Sequence, residues 1–259
     1  GWSPHLQAVM ATLLPAQAQV VLFWGESYVA LYNDAYAPTI GNKHPHALGR
    51  PAQENWSELW DDLEPLLRGV RETGQTFSAK DRPFYIERSG HGETVYFDVS
   101  YSAVREADGS VGGILCLVSE TTERVRFQQR QAFLLELGRT LPGLGGAERI
   151  EAYAVQRLAE QLGAARVCFG EDQGDGECFT VSQDWVDGVP SVVGTHPYQA
   201  LGADFHEPLA AEQTVQQAYD KAQPHLAGLG AALHVPVVRA GRLEAVRGVS
   251  FRLAGTRLH

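Results

Sequence analysis

In the ten residues VYFDVSYSAV, Val95 to Val104, the character changes at every step as far as Ala103. Val95, Phe97, Val99, Tyr101 and Ala103 are apolar, and Tyr96, Asp98, Ser100 and Ser102 between them are wetter. Successive side chains of a strand point to opposite faces, so this run fits a strand with one face buried and one wet. Such strands belong to antiparallel sheets covered on one side; strands of parallel sheets, buried on both faces, read as continuous apolar runs. The neighbouring segments agree. DRPFYIER and SVGGILCLVSETT flank the run across SGHG and ADGS, whose residues suit turns. Upstream, QVVLFWG and SYVALYN meet at Gly25-Glu26, which predicts a two-residue hairpin.

Helical spacing takes over between these strands. ENWSELWDDLEPLLRGVRETGQ carries Trp56, Leu59, Trp60, Leu63, Leu66, Leu67 and Val70 on one face. Pro65 is expected to kink or divide this helix and Gly74 to end it. From Thr121 to Leu141 the chain is charged and helical. Phe127, Leu134 and Leu141 recur every seven residues with Leu137 between them, the spacing of a dimer seam. PGLGG, Pro142 to Gly146, then breaks the chain. The second half restarts with the helix AERIEAYAVQRLAEQLG. Strands AARVCFGED and GECFTVSQDWVDG follow about the turn EDQGDGE, then a looser region from Pro190 to Pro208. AEQTVQQAYDK, a small-residue helix over QPHLAGLG, and a hairpin turning at Ala240-Gly241 complete it. The fold class is α+β: two domains, each an antiparallel sheet with flanking helices. They are expected at 1–120 and 147–259, joined by a helical linker at 121–146.

Bulk properties exclude several functions. A chain of 259 residues, 44% hydrophobic, has material for two cores. A formal charge of −10 with no basic cluster argues against a nucleic-acid or anionic-membrane surface. No run of about 18 apolar residues is present, so no membrane span is expected. The apolar stretch LQAVMATLLPAQAQVVLFWG lacks a basic start and contains Pro15, unlike a signal peptide. The chain begins Gly-Trp without Met and reads as a piece of a longer protein. Cys116, Cys168 and Cys178 form an odd set without a CxxC spacing and read as reduced thiols, which implies a cytoplasmic location. The motifs GxxxxGK[ST], GxSxG and HExxH are absent, so no catalysis is expected of this stretch.

The order of elements and two phrases, WGESYVALYNDAYAPTIGNKHPHALGRP and YFDVSYSAVREADGSVGGILCLVSETTERV, resemble PAS domains of bacterial sensor histidine kinases over about residues 16–125. In that family the last strand ends in an acidic-x-Thr element that couples the sheet to an outgoing helix. Glu120, Thr121 and Thr122 occupy that place, so the resemblance implies a signal-coupling role for them. Residues 147–259 resemble a GAF domain through LGAARVCFGED, QDWVDG and LHVPVVRAGRLEAVRGVSF; the closing helix usual in that family is not in this stretch. Together these imply a non-catalytic sensory and dimerisation module of a cytosolic two-component protein. A homodimer through the linker helix and an output domain downstream are expected. The alternatives are a chromophore-binding photoreceptor, a redox sensor, or the sensor region of another output enzyme such as a phosphatase.

A PAS cavity able to take a small molecule is expected among Tyr36, His44, Trp56, Trp60, Phe84, Tyr96 and Tyr101. A second is expected among Cys168, Trp185, His196, Tyr198 and Phe205, under the loose 190–208 region. The same aromatics would equally fill packed cores. No cofactor is assigned. The resemblance disfavours haem, because the helix Asn55–Thr73 has no His; a flavin–thiol adduct, because the expected Cys is missing; and bilin, because the family's chromophore motifs are missing. His44 and His46 lack a third ligand, so no metal is expected. In ALYNDAYAPTIGNKHPHALGRP, Asn33 or Asp34 is expected to cap the next short helix, and Lys43 and Arg50 to pair with Asp34, Glu54 or Asp62.

Overall fold

The computed structural model of the chain describes residues 1–88, 91–202, 205–219 and 228–252. The chain divides into two compact units, 1–130 and 131–259. Each is built on its own antiparallel sheet with helices, which is the α+β class read from the alternation. The division falls inside the 121–146 stretch.

In the first unit, β1 (Gln19–Trp24), β2 (Val29–Tyr32), β3 (Phe77–Arg88), β4 (His91–Arg105) and β5 (Val111–Glu120) form a sheet in the order β2-β1-β5-β4-β3. The alternation in β4 is real: Val95, Phe97, Val99 and Tyr101 are buried, and Tyr96, Asp98, Ser100 and Ser102 are half-buried. Over the buried face lie α2 (Ala37–Ile40), α3 (Ala52–Asn55), a 3-10 turn (Ser57–Leu59) and α4 (Trp60–Thr73). Leu63, Leu67 and Val70 are the buried stripe of α4. Each such side chain, taken out of water, contributes about 1.5–3 kcal/mol. On the opposite face, α1 (Pro4–Leu13), capped by Ser3, buries Leu6, Met10 and Leu13 with Val20 and Leu22.

Two local expectations are corrected. Pro65 lies inside α4 and does not divide it. The carbonyl it leaves without a donor is that of Asp61, and both residues are exposed, so water replaces the missing N–H. The interruption comes earlier, where Trp56 (φ −122°, ψ 35°) and Leu59 (φ −120°, ψ 12°) leave helical geometry. Gly74 ends the helix as expected, at φ 66°. The β1–β2 connection has four residues, not two, because Trp24 pairs with Val29. Tyr28 adopts φ 50° there. Its buried ring packs 6.2 Å from Trp60, and the Arg71 guanidinium lies 5.2 Å from it.

Helix α5 (Thr122–Thr140) crosses the 130/131 division. In the second unit, α6 (Ala147–Leu162), β6 (Arg166–Asp172), β7 (Cys178–Val186), β8 (Gly194–Pro197), α7 (His206–Ala210), β9 (Val215–Ala218), β10 (Leu229–Arg239) and β11 (Arg242–Arg252) follow. The sheet order is β8-β7-β6-β11-β10-β9. Helix α6 buries Val155 and Ala159 on one face, with Val167, Val249 and Trp185. The hairpin turn falls at Ala240 and Gly241 as read, both at positive φ (51° and 74°), the geometry that matches strand twist. AEQTVQQAYDK contains β9. The small-residue helix expected over 223–230 lies outside the described residues except for 228–230, where β10 begins. Of the SGHG turn, residues 89 and 90 lie outside them too.

Candidate functional site

The sheet and helices of the first unit enclose a cavity of about 50 Å³. Tyr36, Trp56, Phe84 and Tyr101 line it, as expected, with Leu63, Ile86 and Cys116. Three expected residues do not. Tyr96 follows the β4 alternation to the outer face. Trp60 turns to Tyr28. His44 faces the Tyr32 hydroxyl, with Nδ1 at 3.2 Å. The lining is mostly apolar: burial raises the Tyr36 and Tyr101 hydroxyls well above the usual phenol range and pushes the Cys116 thiol up to about 12. Thr39 Oγ1 is buried at its edge without a hydrogen-bond partner among the described residues.

The stretch 30–51 forms one wall. Asn33, 1% exposed, is its anchor. Its Oδ1 accepts from the Val20 and Tyr36 amides at 3.2 and 3.1 Å. Its Nδ2 donates to the Leu13, Ala16 and Ala18 carbonyls at 2.8–3.2 Å. The expected cap on α2 is not made, since its N-cap Tyr36 has no side-chain cap hydrogen bond; Asn33 instead closes the turn before that helix and ties it to the end of α1. Arg50 pairs with Glu54 at 3.6 Å. Lys43 pairs with Glu58, a partner outside the expected set, on the 3-10 turn that follows Trp56, whose ring centroid lies 6.0 Å from Lys43 Nζ.

Sequence reasoning missed the residue that connects this cavity to α5. Arg88, near the end of β3, lines the cavity. Its guanidinium donates through both Nη atoms to the Glu120 carboxylate, each at 2.8 Å, and through Nε to Glu93 at 2.9 Å. Glu120 also accepts from Thr122 Oγ1 at 2.9 Å, and Thr122 Oγ1 in turn accepts from the Tyr96 amide at 3.0 Å. These bonds, first among them the Arg88 pair, hold the Glu120 carboxyl below the usual range. Thr121 donates to Asp81 at 2.7 Å, and Asp81 accepts from Arg124 at 2.7 Å. Asp81 sits at φ 50° in the β3 irregularity between Ala79 and Arg82. Glu120, Thr121 and Thr122 therefore converge where the sheet becomes a helix, all three tied to β3 or β4. An Arg ending a strand of mixed residues carries no signal in sequence, since its partner is 32 positions away.

The second unit holds a larger cavity, about 240 Å³. Cys168, His196 and Tyr198 line it as expected. Trp185 does not, because it pairs with Val167 and shares the α6 face. Phe205 sits behind the wall, its ring edge-on to His234 at 4.8 Å. Register explains the floor: Arg166 pairs with Ser250, Cys168 with Gly248 and Gly170 with Val246, and all six point to the same side. Gly248 keeps the floor open, since a Cβ there would come 2.9 Å from Cys168 Sγ. Burial pushes the Cys168 thiol up to about 11, so it is protonated at neutral pH. Arg166, Tyr219 and His234 also line this cavity and were not foreseen. Among the described residues no group of three or more His, Cys, Asp or Glu is arranged to hold a metal, and no helix is long and apolar enough to cross a membrane.

The five-stranded sheet, its cavity and the 120–122 junction occupy one continuous stretch, and that stretch is similar to a known fold. Residues 16–126 match the PAS fold. The PAS-like domain thus covers the first sheet and the first turn of α5. Among solved structures, the chromophore-binding domain of Stigmatella aurantiaca bacteriophytochrome (a Thr-to-His mutant) is 15% identical, covers 95% of this chain and 88% of its own, and has a TM-score of 0.41. The GAF domain of a phosphoenolpyruvate-protein phosphotransferase from Coxiella burnetii is 13% identical over 49% of this chain and 83% of its own (TM-score 0.39). The free methionine-R-sulfoxide reductase of Neisseria meningitidis is 15% identical over 51% and 78% (TM-score 0.40). Likenesses at this level assign neither ligand nor activity.

Proposed function

We propose that the chain is the sensory region, of PAS–GAF type, of a cytosolic bacterial signal-transduction protein whose output domain is a two-component histidine kinase. One observation carries this reading: Arg88 lines the PAS-like cavity and at the same time grips Glu120 at the start of α5. A change in the cavity wall reaches Arg88, then the Glu120–Thr122 pair, then the first turn of α5. The signal is a shift between two arrangements of that junction, and an occupant drives it only by as much as it favours one of them. The fragment catalyses nothing itself. Helix α5 serves as output and dimer seam, since Phe127 and Leu134, one heptad apart, are 58% and 50% exposed.

The test uses the protein with its output domain. Thr121→Ala and Thr122→Ala are expected to leave the PAS-like domain folded and to flatten the response of autophosphorylation to the cognate stimulus. Regulation unchanged in both variants would reject the coupling role, and an output domain of another kind would reject the kinase assignment.

A further inference from the structure

The cavity of the second unit contains a cation that no acid among the described residues balances. Arg166 is 4% exposed. The partners of its guanidinium are neutral: the Pro190 carbonyl at 3.2 Å and Ser250 Oγ at a long 3.5 Å, with the Tyr219 hydroxyl alongside. It enters no ion pair among the described residues. The acid on neighbouring β7, Asp184, is occupied by Ser191 Oγ at 3.0 Å and the Val192 amide at 2.7 Å. An isolated buried charge costs several kcal/mol, and side chains placed this way are ordinarily paired or neutralised. A second polar group faces the same space. His234 is 7% exposed, and its Nε2 has no hydrogen-bond partner among the described residues. Burial, and then Arg166, push its pKa down to about 4, so at neutral pH the ring is uncharged and offers one unfilled hydrogen-bonding position.

We propose that this cavity binds a small organic monoanion, with its carboxylate on the Arg166 guanidinium, its body against Phe179, Tyr198 and Val246, and a polar substituent at His234 Nε2. The charge count selects a carboxylate over a phosphate dianion: one guanidinium and a neutral imidazole balance one negative charge. The apolar walls require a body beyond the carboxylate. The volume, about 240 Å³, lies just under the roughly 300–1,000 Å³ of pockets for drug-sized ligands, so the ligand is of small-metabolite size. The inference rests on reading the second unit as a ligand-responsive part of the sensory region.

The experiment titrates the full chain at pH 7.5 and fixed ionic strength with benzoate, with its neutral isostere benzamide, and with inorganic phosphate, by calorimetry. Benzoate is expected to bind at least tenfold more tightly than benzamide, and more tightly than phosphate. Arg166→Met is expected to abolish the preference for benzoate. It should not lower the melting temperature of the ligand-free protein, because it also removes an unbalanced buried charge; a purely structural Arg166 would make this variant less stable. If Arg166→Met fails to fold, that result too counts for the structural role, and the wild-type comparison still decides the charge preference. Benzamide binding as tightly as benzoate overturns the anion assignment but leaves the cavity a ligand site. Phosphate binding more tightly than benzoate overturns the monoanion. Binding of none of the three overturns the proposal, while the sensory reading stands or falls separately on the response of the Thr121→Ala and Thr122→Ala variants.

Discussion

Single side chains fix both ends of the PAS-like wall. Asn33 satisfies five backbone groups from inside the protein. Asn33→Ala leaves buried donors and acceptors without partners, at about 1–3 kcal/mol for each group that water cannot reach. A loss of at least about 3 kcal/mol is expected in urea unfolding. Asn33→Asp should be nearly as damaging, because a carboxylate cannot donate to the Leu13, Ala16 and Ala18 carbonyls. At the other end, Arg88 holds the Glu120 carboxyl below its ordinary range. A depressed carboxylate pKa stabilises the fold above the unfolded-state value and loses that contribution as pH falls through the folded value. Stability should therefore decline on acidification below about pH 4.3, the ordinary glutamate value. Arg88→Met should be less stable at pH 7 by about 1–3 kcal/mol and show a shallower acid decline. Equal acid slopes in the two proteins would refute the assignment.

At the scale of elements, the strands were legible because alternation reports burial directly, as in Val95–Tyr101. The same rule, applied strictly, would have excluded Tyr96 from the cavity, since it lies on the opposite face from Tyr101. It could not have excluded Trp185, which shares the parity of the cavity-lining Phe179; the register irregularity opposite Cys168 and Gly170 turns Trp185 to the other face. What sequence could not supply was pairing at long range. Arg88 meets Glu120 across the sheet, and Arg166 meets Ser250 across 84 positions. Neither spacing has a local signature. Pro65 does not divide α4 for a different reason: a proline is tolerated where the carbonyl it orphans is exposed. The β3–β4–α5 junction rests on Thr122, whose Oγ1 serves the Tyr96 amide and Glu120 together. Thr122→Ala should raise amide exchange at Tyr96 and in the first turn of α5 several-fold, consistent with losing about 1 kcal/mol of local stability. Exchange at the centre of β4 should be unchanged.

For the whole molecule, α5 is the element that both units share, and its apolar positions Phe127, Leu134 and Leu135 are half or more exposed. Changing exposed side chains costs little, within about 0.5 kcal/mol. The double variant Phe127→Glu, Leu134→Glu should therefore keep its melting temperature while moving from dimer to monomer in sedimentation velocity. A wild-type monomer at micromolar concentration would remove the seam from the account. The central claim is that the PAS-like cavity and the start of α5 are joined through Arg88. Xenon, an apolar atom suited to a small apolar cavity, tests this most directly when nuclear magnetic resonance of the labelled chain is recorded under xenon pressure. The account expects the Leu63 and Ile86 methyls to shift together with the Arg88 Nε–H and the Thr122–Val125 amides, and expects the helix amides to fall silent in Arg88→Met. Methyl shifts with unmoved helix amides in the wild type, or helix shifts that persist in Arg88→Met, would contradict it.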